Sequence, residues 1–139
     1  MGMTEKDCIF CKIVAGEVPA HKVYEDDSVL AFLDLHPLNP GHALVIPKQH
    51  TEEFQDMGGP LFEHVMLVVQ VVTRAIKKAT NPKRVGLMVL GFDVSHAHVH
   101  VVPLNERNDM SSERMEAAQT SEPNHDELAK IAKQLADNT

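Results

Sequence analysis

Between residues 96 and 102 the chain alternates histidine with small apolar residues, in the order His-Ala-His-Val-His-Val-Val. Successive side chains of a β-strand point to opposite faces of a sheet, so this spacing predicts a strand over 95–104. His96, His98 and His100 then line one face, and the apolar residues pack into the core on the other. Imidazole titrates near neutral pH and serves as nucleophile, acid, base or metal ligand. Three such groups on one strand face favour a functional site over structural packing.

The remaining pattern predicts an α+β domain. In chain order, the predicted elements are a helix over 9–15, strands over 21–25, 28–35 and 42–47, a long helix over 60–78, strands over 84–91 and 95–104, and a helix over 125–136. The strand over 42–47 is apolar on both faces and is expected to be central. Residues 105–123 are polar and acidic and are predicted to form an irregular loop. This order predicts an antiparallel sheet of about five strands packed against one main helix.

Length and charge limit what kind of protein this is. A chain of 139 residues fits one domain over 1–139, with a core over 8–104 and a polar loop and C-terminal helix over 105–139. The formal net charge is −7 and the Lys and Arg residues are scattered, which argues against nucleic-acid binding. The sequence shows no apolar run of membrane length and no signal region, so no membrane partner is expected. We expect a cytoplasmic protein.

The histidine-rich stretch resembles the signature of the histidine-triad (HIT) superfamily. Further stretches resemble its branch of small purine-nucleotide phosphoramidases: Cys8-Ile9-Phe10-Cys11-Lys12-Ile13, Glu17-Val18-Pro19, Ala31-Phe32-Leu33-Asp34, and Pro40-Gly41-His42-Ala43-Leu44-Val45-Ile46-Pro47-Lys48. The resemblance covers residues 8 to about 104 in the expected order. It implies the family's α+β sheet and a homodimer that pairs through sheet and helix.

The same resemblance implies a hydrolase. Its middle histidine, His98 by position, attacks the α-phosphorus of a nucleotide and forms a nucleotidyl-imidazole intermediate that water hydrolyses. His100 and His42 are assigned phosphate contact and proton relay. Asp34 resembles the acceptor of the ribose hydroxyls, although a surface charge at a strand end would look the same. The nucleotide-contacting residues implied are Ile13, Val18, Phe32, Leu33, Asp34, Leu35, Asp93, Val94, His98 and His100.

Cys8 and Cys11 have the two-residue spacing of zinc ligands. A redox pair usually follows a strand, and no strand is predicted here, so a zinc site and a pair of unligated thiols remain as alternatives. Family members that carry the cysteine pair complete a zinc site with histidines that correspond to His50 and His96. The resemblance therefore implies a structural Zn²⁺ held by Cys8, Cys11, His50 and His96, with His96 a ligand rather than a catalyst.

The loop before the triad departs from the family. Where well-studied members have a Gly-Gln-Ser-Val-type loop that holds phosphate, this chain has Gly91-Phe92-Asp93-Val94-Ser95, and Leu90 stands nearest to the family's pocket asparagine. A carboxylate is a poor neighbour for phosphate, so Asp93 either points away or binds something cationic on the substrate or leaving group. His21, His36, His64 and His125 match no family position and are interpreted as surface or packing residues.

Three functions are compatible with these features. The first is a hydrolase of purine nucleoside phosphoramidates or related conjugates. The second keeps the intermediate but changes the leaving group or acceptor, as a dinucleoside-polyphosphate hydrolase or nucleotidyl transferase. The third is a nucleotide-binding interaction protein with weak catalysis, which the changes at Phe92 and Asp93 keep open.

Overall fold

The structure is a computed structural model that describes residues 6–139, and the statements below refer to that range. Residues 1–5 of the predicted domain lie outside it. Five antiparallel strands form one sheet in the order β1-β2-β3-β5-β4. The strands are β1 (Lys22–Glu25), β2 (Val29–Leu33), β3 (Ala43–Pro47), β4 (Arg84–Met88) and β5 (Val99–Leu104). The helices are α1 (Ile9–Val14), α2 (Gly59–Thr80), α3 (Ser112–Gln119) and α4 (His125–Ala136), with a 3-10 turn at Phe54–Asp56. The predicted α+β sheet with a long helix and a C-terminal helix is confirmed.

The central strands send alternate side chains into two separate cores. Ala31, Val45 and Val99 pack with α2 and α4 on one face of the sheet. Phe32 and Leu44 pack with α1 on the other. Every residue of β2 and β3 is buried, as expected of strands covered on both faces. Alternate residues of β3 and β5 therefore point to the face of the sheet that α1 covers.

Helix α2 is the main helix of the core. Val65, Val68, Val72 and Ile76 recur at helical spacing, and all are buried against the sheet. Asn81 ends the helix in a left-handed conformation with φ of 48° and donates its N–H to the Lys77 carbonyl. By length and a mean hydropathy of 1.2, α2 also meets the criterion for a membrane span. Its apolar stripe packs on the sheet, which is the arrangement of a core helix.

All five strands are shorter than the sequence predicts, and the differences at β4 and β5 affect the histidine-rich stretch. β4 ends at Met88 and β5 begins at Val99, whereas strands over 84–91 and 95–104 were expected. The pairing of β5 explains both limits, since Met88 pairs with His100 and Val45 pairs with Val99 at the end of each ladder. The prediction of a strand through His96 was therefore wrong. His96 and His98 belong to the segment that leads into β5.

The predicted irregular loop over 105–123 contains a helix, so that prediction was wrong for α3. The Ser111 side chain caps α3 by accepting a hydrogen bond from the Arg114 N–H at 3.2 Å. No residue of α3 is buried. The helix therefore shows no apolar stripe, which is the signal that identified α2 and α4.

A buried carboxylate fixes α3 to the loop before β3. Asp109 is 2% exposed and accepts hydrogen bonds from the Asn105 N–H at 2.7 Å and the Asn39 side-chain amide at 3.0 Å. Arg114 of α3 pairs with Asp109 at 3.0 Å and donates to the Leu38 carbonyl at 2.9 Å. Hydrogen bonds from backbone N–H groups lower the pKa of Asp109 to about 2. The carboxylate is therefore charged at neutral pH and connects three segments of the chain.

Candidate functional site

His98 is held in a single tautomer. Its Nδ1 lies 2.7 Å from the His96 carbonyl oxygen, and a carbonyl only accepts, so Nδ1 carries the proton. The lone pair is therefore on Nε2. The ring is 7% exposed and packs edge-on to Phe10 of α1, with centroids 5.1 Å apart. The backbone and α1 thus orient an imidazole whose basic nitrogen is Nε2.

His42 and His100 form a directional hydrogen-bond chain. The Leu38 N–H donates to His42 Nδ1 at 3.1 Å, which leaves the His42 proton on Nε2. His42 Nε2 lies 3.0 Å from His100 Nδ1, so it donates there, and the His100 proton is on Nε2. Leu44 lies opposite His100 in the β3–β5 register, which puts both on the α1 face. The chain runs from a backbone amide to a His100 N–H that faces the cavities described below. We refer to this chain as the relay.

The surroundings of the relay keep its two rings neutral at neutral pH. Burial lowers the pKa of His42 to about 4. Burial, together with the neighbouring His42 and His98 rings, lowers the pKa of His100 to about 4. Asp34 Oδ2 is 3.7 Å from His42 Nε2, and burial raises the pKa of the Asp34 carboxyl. An anion placed against His100 would raise its pKa, because opposite charge favours the protonated ring.

A first cavity of about 290 Å³ contains every residue that the resemblance assigned to nucleotide contact. Its apolar part comes from α1, from the segment between α1 and β1, and from β2. Asp34 lies at its polar end with His98 and His100, and Asp34 Oδ1 accepts a hydrogen bond from the His36 N–H at 2.8 Å. The predicted contacts brought together here are Ile13, Val18, Phe32, Leu33, Asp34, Leu35, Asp93, Val94, His98 and His100.

A second cavity of about 320 Å³ adjoins the first and shares Asp34, Asp93 and His100 with it. The sequence reasoning did not find this cavity, because part of its wall is α3, which was predicted as a loop. His36, interpreted as a surface or packing residue, lines both cavities. The lining residues that were missed are His36, Leu38, Met88, Leu90, Met115, Glu116, Ala118 and Gln119.

The other histidines lie outside both cavities. His21 Nε2 and His125 Nδ1 are 3.0 Å apart near the surface. His64 Nε2, on α2, is 2.6 Å from Asp26 Oδ2. None of the three lines the first or the second cavity.

The four predicted metal ligands form one cluster. Cys8 Sγ is 3.4 Å and Cys11 Sγ is 3.5 Å from His96 Nδ1, and Cys11 Sγ is 3.2 Å from His50 Nδ1. All four ligand atoms lie within 4.8 Å of one another. The His96 Nε2–H donates to the Pro47 carbonyl at 2.8 Å, which leaves Nδ1 with the lone pair that a metal needs. We refer to these residues as the zinc cluster.

The spacing of the zinc cluster fits a tetrahedral ion. Bonds of about 2.3 Å to sulfur and about 2.1 Å to nitrogen put neighbouring ligand atoms roughly 3.6 Å apart in a tetrahedron. The sulfur–nitrogen distances of 3.2 to 3.5 Å are close to that value. Two thiolates and two imidazoles are also a donor set that Zn²⁺ prefers. Because α1 supplies both sulfurs, an ion here would join the N-terminal helix to the segment before β5.

Comparison with known proteins places this arrangement in a family. The HIT domain model matches residues 15–107. The chain belongs to the HIT family. Adenosine 5′-monophosphoramidase HNT1 of Saccharomyces cerevisiae is 33% identical over 129 residues, which cover 92% of this HIT chain and 80% of the yeast protein. Adenylylsulfatase HINT3 of Arabidopsis thaliana is 38% identical over 109 residues, covering 75% of this chain and 55% of the plant protein.

Solved HIT structures share the whole fold. A HIT-like protein from Bartonella henselae, described as involved in cell-cycle regulation, superposes with a TM-score of 0.87 at 28% identity and covers 100% of both chains. A zinc-bound histidine triad family protein from Mycobacterium smegmatis superposes with a TM-score of 0.72 at 29% identity and covers 98% of this chain and 100% of its own. The yeast and plant relatives carry the names of hydrolases that act on nucleotide phosphoramidate or phosphoanhydride bonds.

In this HIT protein the loop that departs from the family lies beside the cavities. Asp93 lines both cavities, and Leu90 lines the second. Phe92, which stands in the place of the family's glutamine, is 90% exposed and lines neither. Asp93, in the place of the family's serine, therefore adds a carboxylate next to the site, whereas Phe92, in the place of the glutamine, changes the outer surface.

Proposed function

We propose that this HIT protein hydrolyses purine nucleoside 5′-phosphoramidates through a nucleotidyl-His98 intermediate. The observation that carries the proposal is the tautomer of His98. The His96 carbonyl holds the proton on Nδ1, so the basic Nε2 is available in a cavity that His100 also lines. A histidine oriented in this way beside a second proton-carrying histidine fits covalent catalysis at phosphorus.

In the first step the His98 Nε2 lone pair forms a bond to the α-phosphorus while the bond from phosphorus to the leaving nitrogen breaks. The leaving nitrogen takes a proton from the Nε2 of protonated His100 and departs as an amine. His100 becomes protonated when the anionic phosphate binds against it, since the anion stabilises the imidazolium. Protonated His100 carries an N–H on both ring nitrogens, so its Nδ1 no longer accepts from His42, and the His42 Nε2–H turns to Asp34 Oδ2, which lies 3.7 Å away.

In the second step water attacks the phosphorus of the intermediate. His100 takes a proton from this water, the bond between phosphorus and His98 Nε2 breaks, and the nucleoside monophosphate is released. His98 is then back in its starting state, and His100 returns to the neutral form when the monophosphate leaves and its extra proton is released to solvent. The sum is the phosphoramidate plus water giving an amine and a nucleoside monophosphate, so the same histidine acts first as acid and then as base.

The first cavity supports a nucleoside as the bound part of the substrate. We propose that the apolar walls, Ile13, Val18, Phe32 and Leu35 among them, enclose the base. Asp34 would accept hydrogen bonds from the ribose hydroxyls, because its buried carboxylate retains acceptor capacity beyond the His36 N–H. The two hydroxyl donors would then offset the free-energy cost of removing the Asp34 carboxylate from water.

We further propose that Cys8, Cys11, His50 and His96 hold a structural Zn²⁺. Zinc with four protein ligands has no open position and supplies folding energy rather than an activated water. The cluster would fix the His96 backbone, whose carbonyl orients His98. Two thiolates as metal ligands also fit a reducing compartment, which supports a cytoplasmic location.

We propose that two copies pair through β4 and α2. β4 is an edge strand of the sheet, and Leu87 and Leu67 are 49% and 55% exposed on β4 and α2. An unpaired edge with exposed apolar residues is a surface that a second strand covers. Light scattering after size exclusion tests this, and Leu87→Lys is expected to give monomers. A monomeric native protein would contradict the homodimer.

The test of the main proposal is the release of adenosine monophosphate from adenosine 5′-phosphoramidate. His98→Gln is expected to abolish release, and His125→Gln, an exposed histidine outside both cavities, is the matched control. Adenylyl sulfate, a diadenosine polyphosphate and a nucleotide sugar, run in parallel, distinguish the alternatives of phosphoanhydride hydrolysis and nucleotidyl transfer. Tight binding of the monophosphate without turnover of any compound would contradict the proposal and favour the binding protein.

A further inference from the structure

The second cavity contains none of the apolar residues proposed to enclose the base, yet it shares His100 with the first cavity. His98 lines the first cavity, His42 lines the second, and His100 lines both. In-line displacement at phosphorus expels the leaving group on the side opposite the nucleophile. With the phosphorus beside His98, the leaving group is directed away from His98, and the second cavity is the one of the two that His98 does not line.

The lining of the second cavity indicates which leaving groups it accepts. Leu38, Met88, Leu90 and Met115 give it an apolar part that suits a carbon chain. Asp93, in the place of the family's serine, and Glu116 of α3 add two exposed carboxylates. The apolar part and the carboxylates together fit a chain that ends in a positive charge.

No Lys or Arg among residues 6–139 lines either cavity. Arg114, the cation on α3, is directed away by its ion pair with Asp109 and its hydrogen bond to the Leu38 carbonyl. An anionic leaving group would therefore enter a cavity that holds carboxylates and offers no Lys or Arg side chain. Such like-charge contacts weaken binding.

We infer that the second cavity is a leaving-group subsite, which favours amines whose apolar chain carries a second, positively charged group and disfavours sulfate and polyphosphate leaving groups. This inference rests on the proposed phosphoramidase activity and adds the specificity for its leaving group. Glu116 is the residue that tests it best, because it lines only the second cavity and lies outside the relay.

The test compares three adenosine 5′-phosphoramidates with linear amines of equal length that end in a methyl, an ammonium or a carboxylate group. At low ionic strength we expect kcat/KM to rank ammonium above methyl above carboxylate, by about 5-fold per step for exposed charges. Glu116→Gln is expected to reduce the ammonium-to-methyl ratio by about 2- to 5-fold. The matched control is Glu113→Gln, an exposed carboxylate of the same helix that lines neither cavity. Added salt should reduce the ratio strongly in the native protein and less in Glu116→Gln, in which Asp93 is the remaining exposed carboxylate of the cavity.

The outcomes separate the subsite from the activity. Equal kcat/KM for the three compounds, or a ratio that is the same in Glu116→Gln as in Glu113→Gln, would overturn the subsite while leaving the phosphoramidase intact. No release of monophosphate from any of the three, or from the unsubstituted phosphoramidate, would remove the proposed function and the subsite with it.

Discussion

His96 and His98 lie two residues apart and are both buried, yet they present opposite ring nitrogens. His96 donates its Nε2–H to the Pro47 carbonyl at 2.8 Å and turns Nδ1 to the thiols of the zinc cluster. His98 donates its Nδ1–H to the His96 carbonyl at 2.7 Å and keeps Nε2 for the first cavity. In each case one backbone carbonyl selects the tautomer. The carbonyl partner, rather than the residue type, decides which ring nitrogen is left for the thiols and which for the first cavity.

The largest effect is expected from removing the proposed nucleophile, His98. His98→Gln is expected to lower kcat for adenosine 5′-phosphoramidate by at least about 10³-fold, because no other Nε2 lone pair lies beside the phosphorus. Zinc content, measured by elemental analysis, should stay at the native level, since the substituted side chain is not a ligand of the cluster. Zinc loss in this variant would mean that the two sites are not separate.

Removing the two thiols tests the proposed role of His96 and the rest of the zinc cluster in metal binding. Cys8→Ser with Cys11→Ser is expected to abolish zinc binding and to lower the free energy of unfolding by about 3 kcal/mol or more, because metal binding is coupled to folding. Denaturant unfolding with and without a chelator measures this. The chelator should destabilise the native protein but leave the variant unchanged. If the chelator leaves the free energy of unfolding of the native protein unchanged, a structural zinc site is contradicted.

Removing the relay is expected to have a smaller effect on kcat than removing His98. His42→Ala with His100→Ala is expected to lower kcat by about 10²-fold, the usual contribution of a positioned acid and base. Binding of adenosine monophosphate, followed by calorimetry, should persist because the walls of the first cavity are intact. A double variant with kcat close to the native value would remove proton transfer from the relay and leave His98 to act alone.

Protonation of the relay gives the smallest expected effect. The pKa values of His42 and His100 are lowered to about 4 in the folded chain, so the unfolded chain binds more protons as pH falls from the ordinary histidine value towards 4. The free energy of unfolding should therefore decrease as the pH falls over that interval. Comparing the native protein with His100→Gln isolates this contribution, because both retain the zinc cluster. Equal pH dependence in the two proteins would contradict the lowered pKa of His100.

The sequence predicted the elements that bury an apolar stripe. α2 and the central strand β3 follow from periodicity, and so does α4, which Asn124 caps by accepting from the Glu127 N–H at 3.1 Å. The start of β5 was missed because it depends on where its partner strands end. α3 was missed because it buries no residue, and the second cavity was missed with it.

The candidate site was predictable only as a set of residues. Sequence motifs identified the predicted metal ligands and the predicted contacts of the first cavity, because each motif specifies the side chains concerned. The proton positions were not predictable, because they depend on the Leu38 N–H and the His96 carbonyl, which the fold brings to the rings. Sequence patterns identify imidazoles, and backbone geometry assigns their roles.

Helix α3 lies beyond residue 107, outside the part of the chain that matches the family. Its attachment to the rest of the fold includes the Asp109–Arg114 pair and the hydrogen bond from Arg114 to the Leu38 carbonyl. Leu38 also supplies the N–H that orients His42. A lineage that keeps Asp109 and Arg114 is therefore able to exchange Met115, Glu116 and Gln119 without altering the histidines. Divergence of this short C-terminal segment would change what the enzyme releases while its nucleotide chemistry is inherited intact.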